Sequence, residues 1–308
     1  MIALATAAPA HAASIGCGAT ETRVISATDA ARGELTVTIP ACATTITFSV
    51  LGGAGGGTGE DGGAGALITG TIQPTGADMT VTLIAGQLGW ARGSTKVNIN
   101  PTGYGSGGLG GNRFNYNGNG IWLVDGGYGG AGSAIVTDAG NPVVIAGGGG
   151  GAGNASSSQP PIYVVESGAG GDGGLVPAGG ALGHVGGGAV ANGGSPAISN
   201  LPGAGGVAAP GTFTGVNGTA GTAPTSGAGG RGAEGIGESG AKAGGGGGGY
   251  AGGGGGSVVY QTASDGAGAG GGAGSNLVAS ADGVVTVVDA GGITTGSRGQ
   301  GTVSITWS

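Results

Sequence analysis

Apolar and polar residues alternate in short bursts along the chain. In 34–40 (ELTVTIP), Leu35, Val37 and Ile39 share one face, and Thr36 and Thr38 share the other. Residues 44–51 repeat the design with Ile46, Phe48 and Val50. A period of two puts successive side chains on opposite faces of an extended chain, so both segments predict half-buried antiparallel strands. The same signal runs through 66–73, which ends at the turn Pro74-Thr75-Gly76, and through 78–85, with Met79, Val81 and Leu83 inward. Further strands are expected at 121–124, 133–137, 257–260 and 284–289. Residues 142–146 (PVVIA) are continuously apolar, which suits a strand buried on both faces. The last strand, 301–307 (GTVSITW), aligns Val303, Ile305 and Trp307.

Between the bursts the period changes. In 52–65, Gly53, Gly56, Gly59, Gly62 and Gly65 hold one phase of three, and Thr58, Asp61 and Ala64 hold another. Three residues per turn is the repeat of the polyproline II helix, which has no internal hydrogen bonds and leaves its N–H and C=O groups pointing outward. Residues 147–151 are all glycine, and 243–257 reads AGGGGGGYAGGGGGS. Ordering such a run is costly, because glycine loses more backbone freedom than any other residue. It becomes ordered only where neighbouring chains take up its backbone groups. The expectation is therefore a packed bundle of polyglycine or polyproline II helices within 52–65, 147–256 and 266–274, with Gly147, Gly149, Gly151, Gly246, Gly249 and Gly254 in its core. Within 154–240, Ala169, Asp172, Leu175, Ala178, Ala181 and His184 fall three apart, so this stretch reads as further helices of the bundle. The strand segments, within 34–90, 119–147 and 257–307, predict an all-β, antiparallel β-sandwich whose loops grow into that bundle. Residues 34–308 form one domain on this reading, preceded by an arm or edge strand at 13–33.

Composition excludes several alternatives. Glycine (87) and proline (12) together suggest low complexity, but only 23 residues are charged (8 basic plus 15 acidic), few for a disordered chain. Glycine does not recur strictly every third residue throughout, which excludes collagen. A net charge of −7 offers no basic patch for nucleic acid. Residues 1–12 resemble the end of a secretory signal, with Ala10-His11-Ala12 as a cleavage box; the alternative is an Ala-rich terminus. No apolar run is long enough for a membrane span. The two cysteines, Cys17 and Cys42, fit an exported protein with one disulfide, worth roughly 3–4 kcal/mol in the chain-entropy model, or else are two buried thiols.

Candidate chemistry is sparse. His184 lacks a patterned nucleophile and acidic partner and reads as a solvated side chain. One histidine and two distant cysteines do not make a zinc site. Glu60 and Asp61 fall short of the oxygens that calcium requires. No cofactor and no enzymatic activity are expected. The insertion 104–120, rich in asparagine and aromatic residues, is the candidate partner surface through Tyr104, Phe114, Tyr116 and Asn117.

The ordered motifs LTVTIPACATTITFSVLGGAGG, DMTVTLIAGQLG, PVVIAGGGGGAG, AGGGGGGYAGGGGGS and GQGTVSITW span 34–307. Their succession resembles the glycine-rich domain of the anaplastic lymphoma kinase and leukocyte tyrosine kinase receptors, and more closely the secreted bacterial proteins that share it. The resemblance implies a tumour-necrosis-factor-like, jelly-roll-like sandwich bearing a hexagonal polyglycine bundle. In the receptors this domain helps to bind protein ligands. The chain carries no kinase or cysteine-rich module, so a receptor role does not carry over, and no family binding residue maps onto it. The expected function is that of an exported structural protein, self-assembling into an extracellular filament, sheath or matrix. The alternative is an adhesin that presents loops to a glycan or a cell-surface protein.

Overall fold

The computed structural model describes residues 19–58, 60–91, 94–96, 98–114, 122–124, 126–156, 164–186, 188–211, 213–235, 240–261, 265–279 and 286–308. Among them the protein is all-β, without helices, and every strand pair is antiparallel. One five-stranded sheet runs in the order Glu21–Ser26, Thr302–Trp307, Ile46–Leu51, Ala66–Ile72, Val287–Thr295. A second runs Leu277–Val278, Pro142–Ala146, Ser133–Thr137, Met79–Ala85, Gly33–Ile39.

Register follows the alternation of the sequence. Trp307, Ile305 and Val303 stand opposite Ile46, Phe48 and Val50. Met79, Val81 and Leu83 stand opposite Ile39, Val37 and Leu35. Slipping either strand by one residue would turn this apolar row to solvent, so the pairing is strongly specified. Side chains of both sheets join one buried cluster, with Val50, Ile68 and Ile305 from the first sheet and Val81, Leu83 and Ile135 from the second. On the opposite face of the second sheet, Thr36 meets Thr82 (3.1 Å between hydroxyls) and Thr38 meets Thr80 (3.3 Å), a cross-strand hydroxyl ladder.

Within the arm, Glu21–Ser26 is an edge strand, and the strand expected at 284–289 extends as Val287–Thr295, with register shifts around Asp289. Val258–Tyr260 is a strand of a separate four-stranded sheet with Ala155–Ser156, Gly266–Gly268 and Thr214–Val216. Val165–Glu166, Gly183–Val185 and Ala189–Ala191 form a three-stranded sheet, and Asn112–Phe114 pairs with Trp122–Val124. Cys42 is disulfide-bonded, and Cys17 lies outside the described residues.

Glycine segments leave the two large sheets at one end. Leu51 continues into Gly52, Ala85 into Gly86 and Ala146 into Gly147, while Gly65 and Gly132 lead into Ala66 and Ser133. The short sheets lie at the far end of those segments, where 154, 242 and 268 meet.

Leu83 is wholly buried between the sheets. Leu83→Ala is expected to cost about 2–5 kcal/mol, read as a lower denaturant midpoint. Val24→Ala, on the exposed face of the edge strand, is expected to stay within ~0.5 kcal/mol.

Candidate functional site

A fully hydrogen-bonded glycine core is the most distinctive chemistry in the molecule. In 147–154 the N–H groups of Gly148, Gly151 and Asn154 donate to Gly248, Gly245 and Lys242 at 2.7, 2.8 and 2.7 Å. Those of Gly149 and Ala152 donate to Gly53 and Gly56, both at 3.0 Å. Those of Gly150 and Gly153 donate to Gly171 and Gly168, at 2.9 and 2.8 Å. Each third residue therefore turns to the same neighbour. The carbonyls repeat the rule: Gly148, Gly151 and Asn154 accept from Gly274, Gly271 and Gly268, Gly149 and Ala152 from Gly130 and Gly127, and Gly147 and Gly150 from Ala66 and Gly63. The segment is enclosed on all sides by backbone.

Residues 243–257 behave likewise as two segments that turn back at Tyr250 and Ala251. Gly253 and Gly256 donate to Gly247 and Gly244, both at 2.9 Å. On its other sides 243–250 donates to 127–130, 227–233 and 269–275; 251–257 donates to 192–195 and 219–222. Residues 268–275 complete the set, donating to 148–154, to 178–181 and to 251–257.

Glycine is required here for its missing Cβ and not for backbone freedom. Among the described residues the glycines with left-handed φ are Gly76, Gly105, Gly140, Gly188, Gly211 and Gly227, none of them in these core runs. A Cβ built on Gly149, Gly151, Gly246 or Gly254 falls onto the carbonyl oxygen of Gly63, Gly127, Gly253 or Ala204. One built on Gly147 or Gly249 meets the carbonyl oxygen of Gly274 or Ser275. Neighbouring backbones are in contact where a side chain would stand.

Polar side chains end the segments, and the sequence reading missed them. Asn276 accepts from the N–H of Gly147 (2.8 Å) and donates to the carbonyl of Gly174 (2.7 Å). Buried Gln87 donates to the carbonyl of Thr28 (2.8 Å) and accepts from the N–H and hydroxyl of Thr102. Buried Ser133 accepts from Gly86 (2.9 Å) and donates to Leu51 (2.6 Å). Each of Gln87, Ser133 and Asn276 sits one or two residues beyond a glycine at a change of period, and that position was the available signal.

Of the proposed partner surface, Tyr104 is half-buried with Tyr250 against Ile84, Ala134, Val136 and Ile145. Burial, and then the charge of Tyr250, raises the Tyr104 phenol above its ordinary value. Phe114 stands opposite Trp122 in the pair formed by Asn112–Phe114 and Trp122–Val124. Tyr116 and Asn117 lie outside the described residues. The structure thus brings Tyr104 to the base of the second sheet, apart from that strand pair. Among the described residues no group of acidic, histidine or cysteine side chains is arranged to hold a metal. His184 is exposed, opposite Glu166, and Asp61 pairs with Arg298. No helix of the described residues is long and apolar enough to cross a membrane. No protein-family model matches the chain, and no curated protein matches it.

Gly151→Ala is expected to destabilise by about 1–3 kcal/mol or more, because its Cβ has no space that rotation can open. Gly292→Ala, with nothing within 4 Å of its added Cβ, is expected to leave stability unchanged or raise it by up to about 1 kcal/mol. Thermal melting of the two variants reads the contrast. For Tyr104, the folded state resists ionisation, so its contribution is fully present below the unfolded value near 10 and is lost as pH rises through the raised folded value. Stability is expected to fall above pH ~10, and less steeply in Tyr104→Phe, as measured by denaturation across that range.

Proposed function

We propose that this is an exported, non-enzymatic structural protein: an antiparallel β-sandwich of the two five-stranded sheets, carrying a bundle of polyproline II-like glycine helices, that serves as a self-assembling extracellular subunit. The observation that carries this reading is the three-residue hydrogen-bond rotation along 147–154, in which every N–H from Gly148 to Asn154 is spent on a neighbouring segment. Such a body is stiff, because no helix can shift without breaking bonds to several others. The disulfide at Cys42 supports an oxidising destination. The resemblance to secreted bacterial glycine-rich domain proteins rests on the motif order 34–307 and on nothing else.

The adhesin reading retains one favouring observation. The strand pair Asn112–Phe114 and Trp122–Val124 leaves the glycine segments 102–111 and 126–132 at the end remote from the large sheets, and Tyr116 and Asn117 fall between its two strands in the sequence. A glycan or a cell-surface protein is the partner class this arrangement suits.

Negative-stain electron microscopy and size-exclusion of the purified chain separate the two. Polymers are expected on the structural reading; a monodisperse monomer that binds a glycan array, and loses binding in Tyr116→Ala, overturns it. By hydrogen exchange, the amides of 147–151 and 244–256 are expected to be among the slowest in the molecule. Fast exchange there would remove the stiff bundle from which the reading starts.

A further inference from the structure

We propose that one flank of the glycine segments, formed by 177–183, 192–197 and 201–207, is the face through which two copies of this chain associate about a two-fold axis. The proposal rests on the structural reading above and names one of the contacts that reading requires.

These three outer segments are consecutive. Gly180 donates to Gly194 (3.0 Å), and Ser195 donates to Ala204 (2.9 Å). The first two lean on 268–275, through Ala273 to Ala178 and Gly194 to Gly270, and the last two lean on 251–257, through Gly254 to Ser195 and Gly206 to Gly255. Neighbours that follow one another around two adjoining six-sided positions fall into a single row, so the flank is flat. Its turns and segments expose Leu175 (72%), Val176 (81%), Leu182 (58%), Ile198 (58%), Leu201 (66%) and Val207 (60%). Large apolar side chains grouped in this way mark an interaction site more often than chance exposure does.

Charge selects the occupant. The chain carries −7 overall, yet 175–183 and 192–207 contain no Asp, Glu, Lys or Arg. Acidic residues border it, Asp172 on the segment that receives the Ala178 N–H and Glu166 opposite His184. A charged partner finds nothing to pair with on this flank, whereas a second copy meets it without like-charge repulsion. At roughly 100 Å² of side chain per aliphatic residue, about two-thirds of it exposed, two such faces bury roughly 800 Å² of apolar side chain, just short of the ~1,000 Å² of a stable specific contact. The resulting dimer is weak and concentration-dependent. It is built from side chains and not from an added row of glycine backbone, since Pro196 and Pro202 have no N–H to give to an added strand. Two copies of one face, related by a two-fold axis, form a closed contact, so growth into a polymer needs a second contact elsewhere.

Sedimentation velocity of the full chain across a wide concentration range tests this. A monomer–dimer equilibrium is expected, with its dissociation constant raised about tenfold or more in the double variant Val176→Lys, Leu201→Lys. Both residues lie on exposed turns, so thermal melting should be unchanged, which separates lost association from lost folding. The control Val24→Lys, Ile99→Lys, at exposed apolar residues elsewhere, should associate as the unaltered chain does. A chain that sediments as a monomer at every concentration overturns the proposal, as does a flank variant that associates undiminished or a control pair that weakens association equally. Micrographs distinguish the two readings. Polymers that persist in the flank variant remove this face while sparing the structural role; dimers without polymers in the unaltered chain keep the face and remove the role.

Discussion

Everything in this molecule depends on the N–H···O=C bond between glycine segments. Each such bond is worth only about 0.5–1.5 kcal/mol net, while ordering a residue costs roughly 1–2 kcal/mol. A segment with neighbours on one side would stay unfolded. Residues 147–154 and 243–257 escape this because they bond on every side, with donors and acceptors used in turn. That density requires backbone against backbone, and a single Cβ at Gly151 or Gly254 would stand on a carbonyl oxygen. The glycine content is thus a packing requirement more than a conformational one.

The large sheets supply what glycine cannot. Their shared core of aliphatic side chains fixes where Leu51, Ala85 and Ala146 end, and so where 52, 86 and 147 begin. At each crossing the chain changes from a period of two to a period of three, and some backbone groups are left without a regular partner. Gln87, Ser133 and Asn276 take up those groups with short side-chain bonds. Buried Gln87 and Ser133 and half-buried Asn276 thus stand at the seam between the two kinds of order, where an unpaired group would otherwise cost most.

A body built this way has its side chains at its margins. The core runs 147–153, 243–249, 251–257 and 268–275 contain only glycine, alanine and serine, whereas Leu175, Val176, Arg231 and His184 lie on other segments or turns. Recognition is left to the flanks and to the end loops. With few charges on the chain, the flanks differ mainly in how apolar they are, and this bears on both the structural and the adhesive readings proposed above.

Alternation made the large strands legible in the sequence itself: Val303, Ile305 and Trp307, or Met79, Val81 and Leu83, declare an inward face because a two-residue period has only one such solution. The three-residue spacing of Gly53, Gly56, Gly62 and Gly65 likewise announced a different backbone state. Other elements were hidden. Residues 86–91, 102–111 and 126–132 join the glycine network although Trp90, Tyr104, Leu109 and Tyr128 disguise them as loops, since those large side chains pack on one another or on the second sheet, Trp90 and Tyr128 with Leu109 and Tyr104 with Tyr250. The short strands Gly183–Val185 and Ala189–Ala191 carry almost no pattern and exist because they pair with each other. Composition and period determined that the chain is all-β and that its glycines need neighbours. Which segment neighbours which was decided only by the tertiary structure, because identical glycines carry no address, and the register of each comes from the sheet or turn that delivers it.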